Sequence, residues 1–348
     1  MAALDSSSSR PVALWLLVCC VMIFVMVVLG GVTRLTRSGL SITEWNPVMG
    51  AIPPLSQRQW DEAFDKYRQT PEYRKVNRGM GLAEFKSIFW VEYAHRLFGR
   101  SIGLVFLLPF LYFLARGRIG RPLVPKLLTM FVLGGLQGAL GWYMVQSGLV
   151  DAPRVSPYRL TAHLALAVMI YGYVLWTALG LLHPAPAPGG APSLRRFGLA
   201  VTGLIFLMML SGGFVAGTRA GFAYNTFPLM AGRFIPEGLF LLEPAWRNLF
   251  ENIATVQFDH RLLAYLLCLA IPAYWFLARR RALPARTRIA LHALPAMLAV
   301  QVTLGITTLV YVVPIPLAAA HQAGALVLFT IALFINHNLR AGTSRTIP

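Results

Sequence analysis

Long apolar runs alternate with short polar stretches along this chain, and eight of the runs reach bilayer length. They fall at about 12–33, 88–115, 125–147, 159–182, 197–217, 253–278, 288–312 and 316–338. A helix needs roughly 20 residues to cross the hydrocarbon core. A spanning helix also satisfies its own backbone hydrogen bonds where no water can. The pattern predicts an all-α polytopic membrane protein with eight transmembrane helices. The polar stretch 34–87, between the first two runs, reads as a long outer loop.

The runs repeat. Residues 91–119 read VEYAHRLFGRSIGLVFLLPFLYFLARGRI, and residues 256–282 read VQFDHRLLAYLLCLAIPAYWFLARRRA. Each holds a His-Arg pair, an apolar stretch, then Phe-Leu-Ala-Arg and a basic cluster. RLTAHLALAVMIYGYVLWTAL around His163 pairs with LAAAHQAGALVLFTIALFINH around His321. The first run ends in Gly30-Gly31 and the fifth in Gly212-Gly213, each followed by Thr-Arg. LGGLQGALGWYMVQSGLV has a weaker counterpart in MLAVQVTLGITTLVYVVP. The chain thus divides into an N-terminal half (1–183), a Pro/Gly/Ala-rich linker (184–196) and a C-terminal half (197–348). Four helices per half is an even number, so the halves are expected to be parallel repeats about an axis along the membrane normal. Two pseudo-twofold-related four-helix bundles follow.

Charge sets the topology. Lys and Arg number 31 against 13 Asp and Glu, a net charge of +18, yet only 13% of residues are charged and mean hydropathy is +0.61. Soluble domains are about a quarter charged. The basic residues cluster in alternate loops: Arg116, Arg118, Arg121 and Lys126; Arg195 and Arg196; Arg279, Arg280, Arg281, Arg286 and Arg288; Arg340 and Arg345. The positive-inside rule puts these loops and both termini in the cytoplasm. Loop 34–87, with nine basic and six acidic residues, is then outside. No basic patch stands apart from helix ends, so nucleic-acid binding is a poor reading. MAALDSSSSR has no small-residue cleavage site, and the first run reads as a retained helix. It shows no Arg-rich transit sequence either, which favours a bacterial inner membrane. Cys19, Cys20 and Cys268 all lie within apolar runs and read as small buried residues.

With this topology His95, His163, His260 and His321 each fall in the first turn or two of an outside-to-inside helix, near the outer face. His183, His292 and His337 lie at the cytoplasmic side and do not match across halves. Within each half two histidines on alternate helices can face each other across the bundle. Imidazole is a standard axial ligand of haem iron, and bundles hold cofactors between facing helices. Zinc prefers three or four protein ligands and fits less well. Arg96, Arg261 and Arg100, one turn beyond Arg96, are placed to pair with haem propionates through bidentate hydrogen bonds; snorkelling to headgroups is the plainer alternative. Glu92 lies three residues before His95, where the second half has Gln257. An intramembrane carboxylate points to function. Glu92 can orient His95, move a proton or act as a general acid–base, or pair with Arg96. The first half therefore reads as the reactive site and the second as a fixed redox cofactor site. Gln137, Trp142, Gln146 and Gln301 are candidates for lining the sites, with plain packing an equal reading.

At these residues the chain resembles the haem A synthase family. The resemblance runs through GGVTRLTRSGLSITEWNPVMGAIPP, EYAHR, GGLQGALGWYMVQSGL, RLTAHLALA, GTRAGFAYNTFPLMAGRFIP, NIATVQFDHR and AAAHQAGALVL, nearly the whole length. It implies an enzyme that oxidises the C8 methyl of haem O to a formyl group, by two hydroxylations and loss of water from the geminal diol. The product is haem A for cytochrome c oxidase. It implies substrate haem at His95 and His163, resident haem b at His260 and His321, and a functional glutamate at Glu92. The implied partners are an electron donor and the farnesyl-transferring haem O synthase that supplies the substrate; a homo-oligomer is among the assemblies left open. Some members carry a cysteine pair in the first outer loop, and loop 34–87 has none, as in the proteobacterial and mitochondrial branch. The competing reading is a bis-His membrane cytochrome b in electron transfer, with both sites permanent relays. A parallel-repeat transporter is a third, disfavoured because Gly-Gly lies near helix ends rather than at midplane.

Overall fold

The computed structural model describes residues 6–45, 49–150, 153–185 and 192–340. Among these the chain is almost wholly helical: α1 (Ser6–Leu35), α2 (Gln57–Arg68), α3 (Pro71–Lys75), α4 (Leu82–Ala115), α5 (Val124–Leu149), α6 (Pro157–Leu182), α7 (Pro192–Thr218), α8 (Asn248–Glu251), α9 (Ile253–Ala278), α10 (Ala285–Val310) and α11 (Ile315–Asn338). Eight of them, all except α2, α3 and α8, are long and apolar enough to cross a membrane. They are the eight expected spans. The linker between the halves lies partly outside the described residues.

The stretch 34–87 corrects the reading of a plain loop. It folds into α2, α3 and the first two turns of α4, which starts at Leu82 rather than near residue 88. Local chemistry explains why. Ser56 and Gln59 form a reciprocal capping box at the start of α2, and the Thr70 hydroxyl accepts from the Tyr73 N–H at the start of α3. Glu84 reaches back to the Gly81 N–H at 2.9 Å and starts α4 early. Trp60, Tyr67, Phe85, Phe89 and Tyr93 then bury one another as a small separate core, with Trp60 and Phe89 edge to face at 4.9 Å. The result is a helical cap on the end of α4.

The spans form two rings of four. In the first, α1 packs on α4 and α6, and α5 joins α4 to α6; in the second, α7 packs on α9 and α11, and α10 joins α9 to α11. Every contact of one ring has its counterpart in the other. The rings meet where α1 touches α11, α6 touches α7, and α6 touches α11. Lipid is as apolar as leucine, so such seams depend on close packing and hydrogen bonds. Gly31 admits the Gln322 side chain, which donates to Val27 O at 2.8 Å, and Gly213 admits Thr161. Tyr171 and Thr330 share a hydroxyl hydrogen bond of 2.7 Å across the seam.

Candidate functional site

The four paired histidines sit on α4, α6, α9 and α11. His163, His260 and His321 lie within two turns of their helix starts. His95 is thirteen residues into α4 (82 to 95), because that helix begins out in the cap. Its place in the first turn or two was therefore misjudged, by the length that the cap adds. In each ring the two histidine helices occupy opposite corners, since neither α4 and α6 nor α9 and α11 is a packed neighbour. His95 lies within electrostatic range of His163, and His260 of His321.

Each imidazole rests against a glycine of a neighbouring helix. A Cβ on Gly30 would stand 3.2 Å from His95 Cε1, and one on Gly141 would stand 3.0 Å from His163 Cε1. The second half repeats this, with Gly212 at 3.4 Å from His260 Cε1 and Gly305 at 2.9 Å from His321 Cε1. Glutamines one turn before Gly141 and Gly305 hold the α6 and α11 histidines. Gln137 donates to His163 O at 3.1 Å, and Gln301 donates to His321 O at 2.8 Å with its Nε2 3.1 Å from His321 Nδ1. His260 Nδ1 lies 3.1 Å from Ser211 Oγ. Trp142 is instead exposed on α5.

Glu92 and Arg96 form a clamp on the chain that leaves α1. The carboxylate is 2% exposed and accepts from Arg96 Nη2 at 2.6 Å and Nε at 3.0 Å, from Ser41 Oγ at 2.7 Å and from the Ile42 N–H at 2.8 Å. Arg96 also donates to Ile42 O and Glu44 O. Glu92 makes no hydrogen bond to His95 among the described residues. The second half has the same clamp without the charge. Gln257 donates to Ala220 O and Ala223 O, and Arg261 donates to Gln257 Oε1 and to Tyr224 O at 2.8 Å. Ser41 and Ile42 stand 182 positions before Ala223 and Tyr224, and Arg37 and Arg219, also 182 apart, are both left-handed at φ 54 and φ 60. Both loops therefore leave their helices by the same turn. Arg100 is half-buried one turn beyond Arg96.

Several ring nitrogens of these histidines remain open to a ligand. His95 Nδ1 and His163 Nδ1 are buried and have no hydrogen-bond partner, as donor atoms for a ligand would. In the tautomer in which His260 Nδ1–H donates to Ser211 Oγ, Nε2 keeps its lone pair for a ligand. No group of three His, Cys, Asp or Glu among the described residues could hold a metal ion by itself.

A family model described as cytochrome oxidase assembly protein (COX15-CtaA) matches residues 13–333. The chain belongs to the haem A synthase family. It is 60% identical over 334 residues to the haem A synthase of Nitrosospira multiformis, covering 95% of this chain and 94% of that one. The haem A synthase of Nitrosomonas eutropha is 56% identical over 338 residues, and the human haem A synthase COX15 is 48% identical over 345 residues, covering 97% of this chain and 84% of the human protein. Both histidine pairs and both clamps of this family member fall within the matched residues. What sequence reasoning missed were the glycines facing the rings and the Ser41–Ile42 half of the clamp. The spacing Gln-x-x-x-Gly, present in both α5 and α10, was the available signal.

Proposed function

We propose that this chain is a membrane oxidoreductase that converts haem O to haem A by oxidising the C8 methyl group to a formyl group. The observation that carries it is the pair of glycine-backed bis-His corners, one per half, in a chain 60% identical to a haem A synthase. His95 and His163 hold the substrate haem, and His260 and His321 hold a resident haem b. A haem in the second half supplies one-electron redox chemistry when bound.

The chain's own residues do the positioning. Gly30, Gly141, Gly212 and Gly305 set how deep each imidazole sits, and Gln137 and Gln301 fix the backbone carbonyl beside the α6 and α11 ligands. Glu92 is the one carboxylate in a clamp whose partner half has an amide, and this marks the first half as the reactive one. Held by four donors, it anchors the loop from α1 over the substrate corner. Arg96 and Arg261 spend their guanidinium groups on loop carbonyls and act as positioning residues. Arg100 is then the arginine of α4 assigned to a propionate. Substrate delivery by a haem O synthase, an oxygen-atom source for the two hydroxylations and an external electron donor complete the cycle.

The basic loops support a topology with both termini in the cytoplasm of a bacterial inner membrane and the histidine ends outward. A membrane-impermeant maleimide should label a cysteine placed at Arg58 in spheroplasts and leave one at Arg281 unlabelled; the reverse pattern inverts the topology. The activity is tested by making the protein in cells that also make haem O, then purifying it and identifying its haems by mass. Haem b together with haem O or haem A supports the reading. Two haem b per chain, with no haem A formed, would support the electron-transfer cytochrome instead.

A further inference from the structure

We propose that the end of the bundle opposite the histidine pairs holds the phosphate of an anionic membrane lipid between α6, α10 and α11. Four cationic or imidazole groups converge there. His183 follows α6, Arg286 lies in the first turn of α10, and His337 and Arg340 close α11. Arg286 Nη1 stands 2.8 Å from His183 Nδ1. Arg340 donates through Nη2 to His183 O and through Nη1 to His337 O, with Nη1 also 2.9 Å from His337 Nδ1. The two guanidinium groups thus meet at His183, Arg286 at its ring and Arg340 at its backbone carbonyl, tying the first half to the second.

No counter-charge accompanies them. Among the described residues, no ion pair includes Arg286 or Arg340. Among the described residues every Asp and Glu, from Glu44 to Asp259, belongs to the other end of the bundle. Burial and then Arg286 push the Arg340 guanidinium below its ordinary pKa, as expected where positive groups crowd without a carboxylate. Beyond its contact with His183, the exposed Arg286 makes no other hydrogen bond among the described residues. Its remaining N–H groups can take an oxyanion in the forked geometry that guanidinium favours.

The anion is assigned to a lipid because of where the cluster sits. It lies at the helix ends, with the edge of Trp176 against His337 at 5.0 Å and Phe334 against His183 at 6.4 Å. An oxyanion at that level has apolar surface directly beneath it, where acyl chains run. Basic pockets between spans at a membrane boundary bind acidic headgroups in this way. The paired imidazoles lie at the other ends of α6 and α11, so haem propionates at those sites do not account for the cluster.

Native mass spectrometry of the full-length protein in detergent tests this, with added dioleoyl phosphatidylglycerol or dioleoyl phosphatidylcholine as probes. Wild type should retain phosphatidylglycerol over phosphatidylcholine. Each arginine contributes about 1 kcal/mol near an anionic headgroup, so Arg286→Gln should weaken retention about fivefold, and Arg286→Gln with Arg340→Gln about thirtyfold. The control Arg118→Gln with Arg121→Gln removes the same charge from another loop at this end and should change nothing. The single Arg286→Gln variant keeps the test open if loss of Arg340 harms folding. Equal loss in the control, or equal retention of phosphatidylcholine, would overturn the proposal. Displacement of the lipid by millimolar inorganic phosphate would overturn it in favour of a free-phosphate site.

Discussion

A glycine behind each histidine is a packing device. It lets two helices approach until an imidazole occupies the space of a missing side chain. Gly305 is the tightest of the four, at 2.9 Å. Gly305→Val must push His321 aside, at about 1–3 kcal/mol for an overpacked site. We expect that variant to fold and to lose roughly tenfold or more of its haem at the second site. The pyridine haemochrome per chain checks this, and unchanged haem content would dissociate the glycine from the ligand. Glu92 is a different case, a charge buried with its partners. Glu92→Gln recreates the amide clamp of the second half and should leave folding and haem binding intact while lowering haem A output. Normal output from that variant would end its assignment to the reaction. Glu92→Ala should instead cost about 1–3 kcal/mol, because the Ser41 hydroxyl and the Ile42 N–H lose their acceptor and Arg96 keeps only the loop carbonyls, and a drop in thermal stability reads this directly.

Among the elements, the cap of α2, α3 and the start of α4 was the least legible in sequence, and the reason is physical. Its apolar residues make one short stripe, Trp60, Phe64 and Tyr67, amid twelve residues of α2 dominated by charge. Next to runs of twenty apolar residues such a stripe reads as a solvated loop. The spacing of four and then three, with the Ser56–Gln59 box before it, was the helix signal available. The spans were legible because a bilayer leaves few alternatives to a long apolar helix. The glycine cradles were not, because a glycine in such a helix carries no mark of the residue it faces. Glu72 of α3 adds a pH dependence to the cap. It is 5% exposed, and burial, then the nearby Glu92 charge, raises its carboxyl to about 7 from 4.5, against opposing pulls from Tyr67, Arg219 and Arg37. A raised carboxyl favours the protonated form in the folded state. Its contribution is therefore full below about pH 4.5 and fades as pH rises through about 7. Protease resistance of the cap should fall between pH 5 and 8 in wild type and stay flat in Glu72→Gln. A wild-type profile as flat as the variant's would remove Glu72 as the titrating group.

The whole molecule is two rings that share an arrangement, and their clamps differ in charge, Glu92 in one and Gln257 in the other. The histidine repeat was legible in sequence because both pairs keep their flanking motifs; the equivalence of the clamps was not, because Ile42, Ala223 and Tyr224 act through backbone groups that any residue offers. If the halves hold different haems, they must lose them separately. His260→Ala leaves the first ring's ligands, glycines and clamp untouched, so it should remove the resident haem b while haem O still binds. His95→Ala should do the reverse, keeping haem b at close to one per chain and abolishing retention of haem O. The rings meet through Gly31 with Gln322 and Gly213 with Thr161, beside the glycines that face His95 and His260. The glycines of the seam and those behind the rings are thus chain neighbours, and the two histidine pairs have no residue in common. Haem extraction with mass identification, run on both variants made in cells that supply haem O, reads the outcome. Loss of the same haem from both would mean that the halves are not separate sites. Two haem b per chain in wild type, falling to one in either variant, would make both sites permanent relays and return the chain to the cytochrome reading.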